Sequence, residues 1–282
     1  MAKKAWAKFP HANKSLDYAG DKLEKGWSSL HAGDCEPFPD QAHVAALLKK
    51  HGKLGKAADA GKIAEALQDA WRAYHAGDFQ AAYEAGTALG PLGTSVAIKA
   101  AGIHTVYLLD NPKEAEKRWE DLAGLAEEAI AALPDQANSH YRHAFALGRY
   151  SQSISIAKAL SMGLAGKVKA SLDKTLKLAP KHAEAHSALG IYHAEIINKV
   201  GAMIGGLTYG AKASIGEDML NKAIKLDPKS PIAQVELANG LILLYGDKRE
   251  DDAAEAYDKA AKLKPRDAME KLDAEFAKAQ LE

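Results

Sequence analysis

The segment Leu172-Asp-Lys-Thr-Leu-Lys-Leu-Ala-Pro180-Lys181 returns as Leu220-Asn-Lys-Ala-Ile-Lys-Leu-Asp-Pro228-Lys229 and again as Tyr257-Asp-Lys-Ala-Ala-Lys-Leu-Lys-Pro265-Arg266, at offsets of 48 and 37 residues. A weaker copy, Ala126 to Pro134, lies 46 residues before the first. Each copy reads as the last turns of an amphipathic helix stopped by proline, which inside a helix costs about 3 kcal/mol or more. Four such endings at near-regular intervals predict stacked repeat units rather than a single globular core.

A second echo lies upstream. Leu23-x-x-x-Trp27-x-x-x-His31-Ala-Gly-Asp34 matches Leu67-x-x-x-Trp71-x-x-x-His75-Ala-Gly-Asp78 at an offset of 44. Glycine just past a helix tolerates a left-handed backbone, and aspartate caps the helix that follows. Both copies therefore read as a helix end and a Gly-Asp turn, with the next helix of the second copy spanning 79–89.

Composition agrees. Of 282 residues, 57 are alanine and only 7% are aromatic, which favours closely packed helices over strands. Lysine plus arginine equal aspartate plus glutamate at 37 each, so the basic excess of a nucleic-acid binder is missing. The single cysteine, Cys35, excludes an internal disulfide framework and a multi-cysteine metal site. The start has lysines but no apolar run behind them, and the apolar stretches 200–211 and 237–246 are too short to span a bilayer. A soluble, cytoplasmic location is expected.

On these residues the chain resembles the tetratricopeptide repeat family. Ala253, Tyr257, Ala260 and Pro265 stand at the family's second-helix spacings. Leu189-Gly190 supplies its Leu-Gly pair, Leu237-Ala238 a variant of it, and His186 and His193 its two flanking aromatic positions. The Gly77-Asp78-Phe79 turn with Ala82 fits too. The stretch from Leu172 onward is also similar to the regulator of microtubule dynamics family, which shares the Leu-Asp-Lys…Leu-x-Pro block. The resemblance implies an all-α, right-handed α-solenoid of helix pairs, over 62–90, 92–134, 137–180, 182–228 and 231–265. Two repeats exceed the usual ~34 residues, and the excess falls in the apolar, glycine-dotted stretches 153–167 and 199–212, expected to pack their own apolar faces together.

The organisation expected is an N-terminal helical extension or incomplete repeat over 1–60, repeats over 61–265 and a capping helix over 266–282. That last helix places Met269, Leu272, Phe276 and Ala279 on one stripe and its charges outward, as a terminal repeat requires. Asn111-Pro112-Lys113-Glu114 reads as a helix start.

The resemblance places the first helices of the repeats on a concave surface. Arg142, Phe145 and Arg149 share one such helix at spacings of three and four, beside Tyr141, and Asn239 is a further candidate. Arginine there can grip a carboxylate through paired charged hydrogen bonds, and aromatic side chains supply apolar area. The expectation is a non-catalytic scaffold without cofactor, binding a protein or peptide. A second reading takes the long repeats as a pocket for a small apolar ligand or lipid, lined by Met162, Leu164, Met203, Ile204 and Leu207. A distant third is a metal-dependent enzyme using His182, His186 and His193, which can share a helical face. His140 and His143 lack a carboxylate at useful spacing, and there is no H-E-x-x-H. Gly163-Leu-Ala-Gly166-Lys167 lacks the first glycine and the final hydroxyl residue of a phosphate loop.

Overall fold

The computed structural model describes residues 5–11 and 16–282, and among these there are helices and turns but no strand. Two helices come first, α1 (Lys22–Leu30) and α2 (Gln41–Lys50). Five helical hairpins follow. They pair α3 (Ala60–Ala76) with α4 (Phe79–Ala88) and α5 (Thr94–Leu108) with α6 (Pro112–Ala132). In the third, α7 (Ala137–Ser153) and α9 (Leu164–Leu178) flank a short α8 (Ile156–Ser161). In the fourth, α10 (Ala183–Val200) and α12 (Ala213–Leu226) flank α11 (Ala202–Tyr209). The fifth pairs α13 (Pro231–Tyr245) with α14 (Glu250–Lys262), and α15 (Ala268–Ala279) ends the fold.

Local chemistry sets these boundaries. Pro134, Pro180, Pro228 and Pro265 each lie two or three residues beyond a helix end. Starts are capped by side-chain oxygens that accept from the first free backbone N–H groups: Asp78 for α4, Asn111 for α6, Ser230 for α13 and Asp267 for α15. The Leu189-Gly190 pair has a steric reason. A Cβ at Gly190 would lie 2.8 Å from the Gly216 carbonyl and 2.6 Å from the Leu220 side chain, so α10 and α12 cross only because glycine is there.

The main core runs between hairpins, from Ile98 and Trp119 through Tyr141, Leu147 and Leu172 to Leu189. A second cluster joins the two ends of the chain: Phe9, Trp27, Trp71, Tyr74 and Phe79 pack with Ala268 and Leu272 of α15. The last helix therefore touches the first hairpin as well as α13 and α14. This corrects the expectation of an outward charged face, since Glu270 and Asp273 of α15 are both buried.

The two insertions also depart from expectation. Each forms a helix of its own, but they do not bury their apolar faces together. Met203 and Leu207 on α11 are 79% and 85% exposed, and Ile156 and Leu160 on α8 are about half exposed. No described helix is long and apolar enough to cross a membrane.

Candidate functional site

The inner helices α5, α7, α10 and α13, together with α15, surround a cavity of about 780 Å³. Its wall is mostly apolar, including Ile103, Val106, Phe145, Ile191, Tyr192 and Ile196, as ligand sites of this size commonly are. All five residues expected to grip a peptide, Tyr141, Arg142, Phe145, Arg149 and Asn239, border this one space. Their roles in it differ sharply.

Arg142 is only 1% exposed because another part of the chain already holds it. After α1 the backbone turns through His31–Asp34 and runs along the inner helices. There Asp34, wholly buried, accepts hydrogen bonds from Arg142 Nη2 at 2.7 Å, Lys99 Nζ at 2.6 Å and His31 Nδ1 at 2.8 Å. Glu184 of α10 answers both cations, accepting from Lys99 at 3.0 Å and facing Arg142 Nη1 at 3.5 Å. Glu36 accepts from Ser95 Oγ and Asn138 Nδ2, both at 2.6 Å, and Asn138 also donates to the Asp34 carbonyl. The Gly33 carbonyl accepts from the Glu184 N–H at 2.9 Å. Three consecutive inner helices are thus tied to one loop, His31 to Glu36.

Electrostatics make this burial tolerable. Lys99, His31 and Arg142 hold the Asp34 carboxyl well below the usual range against its burial. Burial, followed by the field of Asp34, pushes Glu36 up to about 7. With Glu36 protonated, two carboxylates face two cations and the cluster is neutral, as buried charge requires. Burial lowers His31 and His182 to about 4, so both rings are neutral. The His182 tautomer follows: Nδ1 accepts from the Ala185 N–H, so Nε2 donates to Asn138 Oδ1 at 3.0 Å.

A second buried cluster fastens α15. Asp267 accepts from His75 Nδ1 at 2.8 Å, and Arg266 binds Asp227, Glu270 and the Ser29 carbonyl. Burial lifts Glu270 to about 7. Tyr18 donates to the Arg266 carbonyl, which ties the segment before α1 into the same joint.

The remaining candidates are differently placed. Arg149, about one-third exposed, is held loosely, with Glu236 at 3.6 Å and Gln152 at 3.4 Å. Asn239 accepts from Tyr257 Oη at 2.6 Å and donates weakly to Glu236. Phe145 packs edge-on against Trp119 and sits over Gly102, where any Cβ would clash with it at 2.3 Å. Tyr141 is buried, its ring tilted against His182. Of the five residues assigned to an apolar pocket in the long repeats, Leu164 lines the cavity, whereas Met162, Met203, Ile204 and Leu207 face solvent.

The three histidines weighed as metal ligands have other partners. His182 is the helix cap just described, His186 donates to the Pro180 carbonyl at 3.0 Å, and His193 Nδ1 accepts from the Lys212 N–H. Among the described residues no three His, Cys, Asp or Glu side chains converge as a metal requires. Burial raises the Cys35 thiol to about 11, which leaves it a weak nucleophile at neutral pH.

Asp34, Glu36, Lys99 and Glu184, the heart of the buried cluster, are not recognisable from sequence pattern alone. The one available signal is the duplicated His-Ala-Gly-Asp, whose first copy precedes no immediate helix: Asp40, six residues later, caps α2 instead.

No protein-family model matches the chain, and no curated protein matches it. Among solved structures it is similar to the crystal structure of TTC0263, a thermophilic TPR protein of Thermus thermophilus, at 14% identity and a TM-score of 0.54. That likeness covers 77% of this chain and 99% of the other. At such identity it speaks for the fold alone, and the fold is a TPR-like helical solenoid.

Proposed function

We propose that the protein is a non-catalytic, cytoplasmic scaffold that receives a segment of a protein partner in its inner cavity. The observation that carries this reading is the convergence of Tyr141, Arg142, Phe145, Arg149 and Asn239 on one largely apolar space. Arg149 is the polar contact. Its weak tethers at 3.4 and 3.6 Å leave it free to exchange Glu236 for an acidic group of the partner at small cost. Phe145 and Tyr141 supply apolar wall, and Asn239 supplies a second hydrogen-bonding side chain. Arg142 acts from behind, as a positioning residue that holds the Asp34 loop and so the spacing of α5, α7 and α10. A pre-formed wall of stacked helices spares the receptor most of the ordering cost of binding.

Selection from a displayed library of random peptides tests this reading. Wild-type protein should enrich apolar sequences carrying an acidic residue, and a folded Arg149→Glu variant should lose them. Absence of enrichment, or equal enrichment by both proteins, would sink the assignment. Arg142→Glu is no substitute test, because it places a third carboxylate beside Asp34 and Glu184 and removes the fold along with the site.

A further inference from the structure

The inserted helices α8 and α11 occupy equivalent places in consecutive hairpins, each between an inner and an outer helix, so they emerge on the same edge of the solenoid. Both border the inner cavity: Ile156 and Leu160 line it from α8, and Val200 and Tyr209 from the C-terminal ends of α10 and α11. Exposed apolar area concentrates here. Of the eleven large apolar side chains most exposed among the described residues, six (Ile156, Leu160, Met162, Met203, Ile204 and Leu207) lie in these two insertions. They form stripes, since Ile156 and Leu160, like Met203 and Leu207, are four apart and share a helix face.

Charge is segregated in the same place. The chain as a whole is neutral, yet residues 153–169 and 196–216 contain no aspartate or glutamate, and they carry Lys158, Lys167, Lys169, Lys199 and Lys212. Three of these lysines make ion pairs with neighbours outside the apolar stretches: Lys158 with Glu116, Lys169 with Asp173 and Lys199 with Glu195. Pairs on a solvated surface are weak and readily exchanged. An exposed apolar stripe ringed by lysine is the chemistry of a helix that lies in a membrane interface, its apolar side among acyl chains and its cations among anionic headgroups. A second copy of this chain fits poorly, because an isologous contact would set lysine against lysine across the seam.

We infer that the α8–α11 edge docks on an anionic lipid surface, with Met203, Leu207, Ile156 and Leu160 entering the interface and the lysines meeting the headgroups. Docking of this kind needs no spanning helix, and it is independent of the peptide reading of the inner cavity.

Vesicle sedimentation tests it, with full-length protein and two lipid compositions: phosphatidylcholine alone, and an equimolar mixture with phosphatidylglycerol. Wild type should partition onto the mixed vesicles at least about tenfold better than onto phosphatidylcholine, and the difference should shrink as salt rises. Met203→Ser/Leu207→Ser should lower binding to mixed vesicles by about tenfold or more, since one turn of helix loses its apolar stripe. Both side chains are solvent-exposed, so circular dichroism and melting temperature should be unchanged in that variant. Lys167→Gln/Lys212→Gln should weaken the salt-sensitive part only. Failure of wild type to bind mixed vesicles overturns the inference, as does equal binding by the serine variant. Equal binding to both compositions overturns the anionic assignment. A concentration-dependent dimer that the serine variant abolishes would give this edge to a second copy instead.

Discussion

His31-Ala-Gly-Asp34 and His75-Ala-Gly-Asp78 are the same tetrapeptide after the same Leu-x-x-x-Trp helix, and they do opposite things. In the second copy Gly77 is left-handed, at φ +90°, and the N–H groups of Gly77 and Asp78 return to the carbonyls of Tyr74 and Ala73. Asp78 stays exposed and caps α4 by accepting from the Ala81 N–H. In the first copy Gly33 is not left-handed. Cys35 takes that role at φ +50°, and Asp34 goes inward to the cations of α5 and α7. The two histidines lie side by side, their rings 5.2 Å apart, yet His31 serves its own aspartate and His75 the distant Asp267. The motif therefore ends a helix in both cases, and its surroundings decide whether the aspartate is a local cap or a long-range tie.

The largest contrast should appear on removing the two aspartates. Asp34→Ala leaves Lys99 and Arg142 buried without the carboxylate that accepts from both, and should cost about 3 kcal/mol or more. Asp78→Ala removes one exposed cap and should cost about 1 kcal/mol. Urea unfolding of both variants measures the ratio; equal losses would contradict the division of roles. The glycines should rank the other way. Gly77→Ala combines a left-handed backbone with a Cβ only 2.6 Å from the Phe9 ring, and should cost about 1–3 kcal/mol. Gly33→Ala meets the Glu184 side chain at 3.3 Å with no backbone strain, and should cost less than about 1 kcal/mol.

The pH dependence of stability sharpens the same comparison, because it arises around the first copy. The folded-state value of Glu36 lies near 7, above its ordinary 4.5. Its contribution is fully present below pH 4.5 and is lost as pH rises through 7. His31 and His182, lowered from 6.5 to about 4, act in the opposite sense. Their contribution is present above pH 6.5 and is lost as pH falls toward 4. Between about pH 4.5 and 6.5 these opposed slopes offset, so melting temperature should vary little there and fall as pH drops toward 4. Glu36→Gln should remove one of the two falling contributions, leaving that of Glu270, also near 7, so that stability rises with pH between 4.5 and 6.5; an unchanged profile over that range would rule Glu36 out as a contributor. The smallest effect belongs to Arg149→Ala. Its loose pairing predicts a change in stability within about 0.5 kcal/mol, so thermal melts should overlay wild type while peptide selection is lost.

Much of the fold is legible in the sequence. The pairs read from it, 62–90, 92–134, 137–180, 182–228 and 231–265, match α3/α4, α5/α6, α7/α9, α10/α12 and α13/α14 to within a few residues at most ends. They match because prolines such as Pro180 and Pro228, caps such as Asn111 and the close-approach glycine at 190 act within one or two turns of their own position. The insertions are legible in place but not in exposure. Their glycine-dotted apolar runs have the pattern of a packing surface, and only the tertiary structure shows that Met203 and Leu207 stay exposed among the described residues. The C-terminal stripe identifies Leu272 as core and is silent about Glu270 and Asp273. A helix held on two sides needs partners that its own periodicity does not announce.

By itself, then, the sequence determined the repeated hairpins, their ends, and the presence of Tyr141, Arg142, Phe145 and Arg149 on one helix. These follow from local forces, helix propensity, capping and the exclusion of proline, which neighbours in the chain impose on each other. Tertiary structure alone decided that Arg142 is committed while Arg149 is available. The commitment comes from Asp34, 108 residues away, and from the loop that carries it across α5, α7 and α10. A carboxylate is acidic wherever it stands in a sequence. Whether it caps a helix in water or neutralises two cations in the interior depends on desolvation and on the partners that folding brings to it.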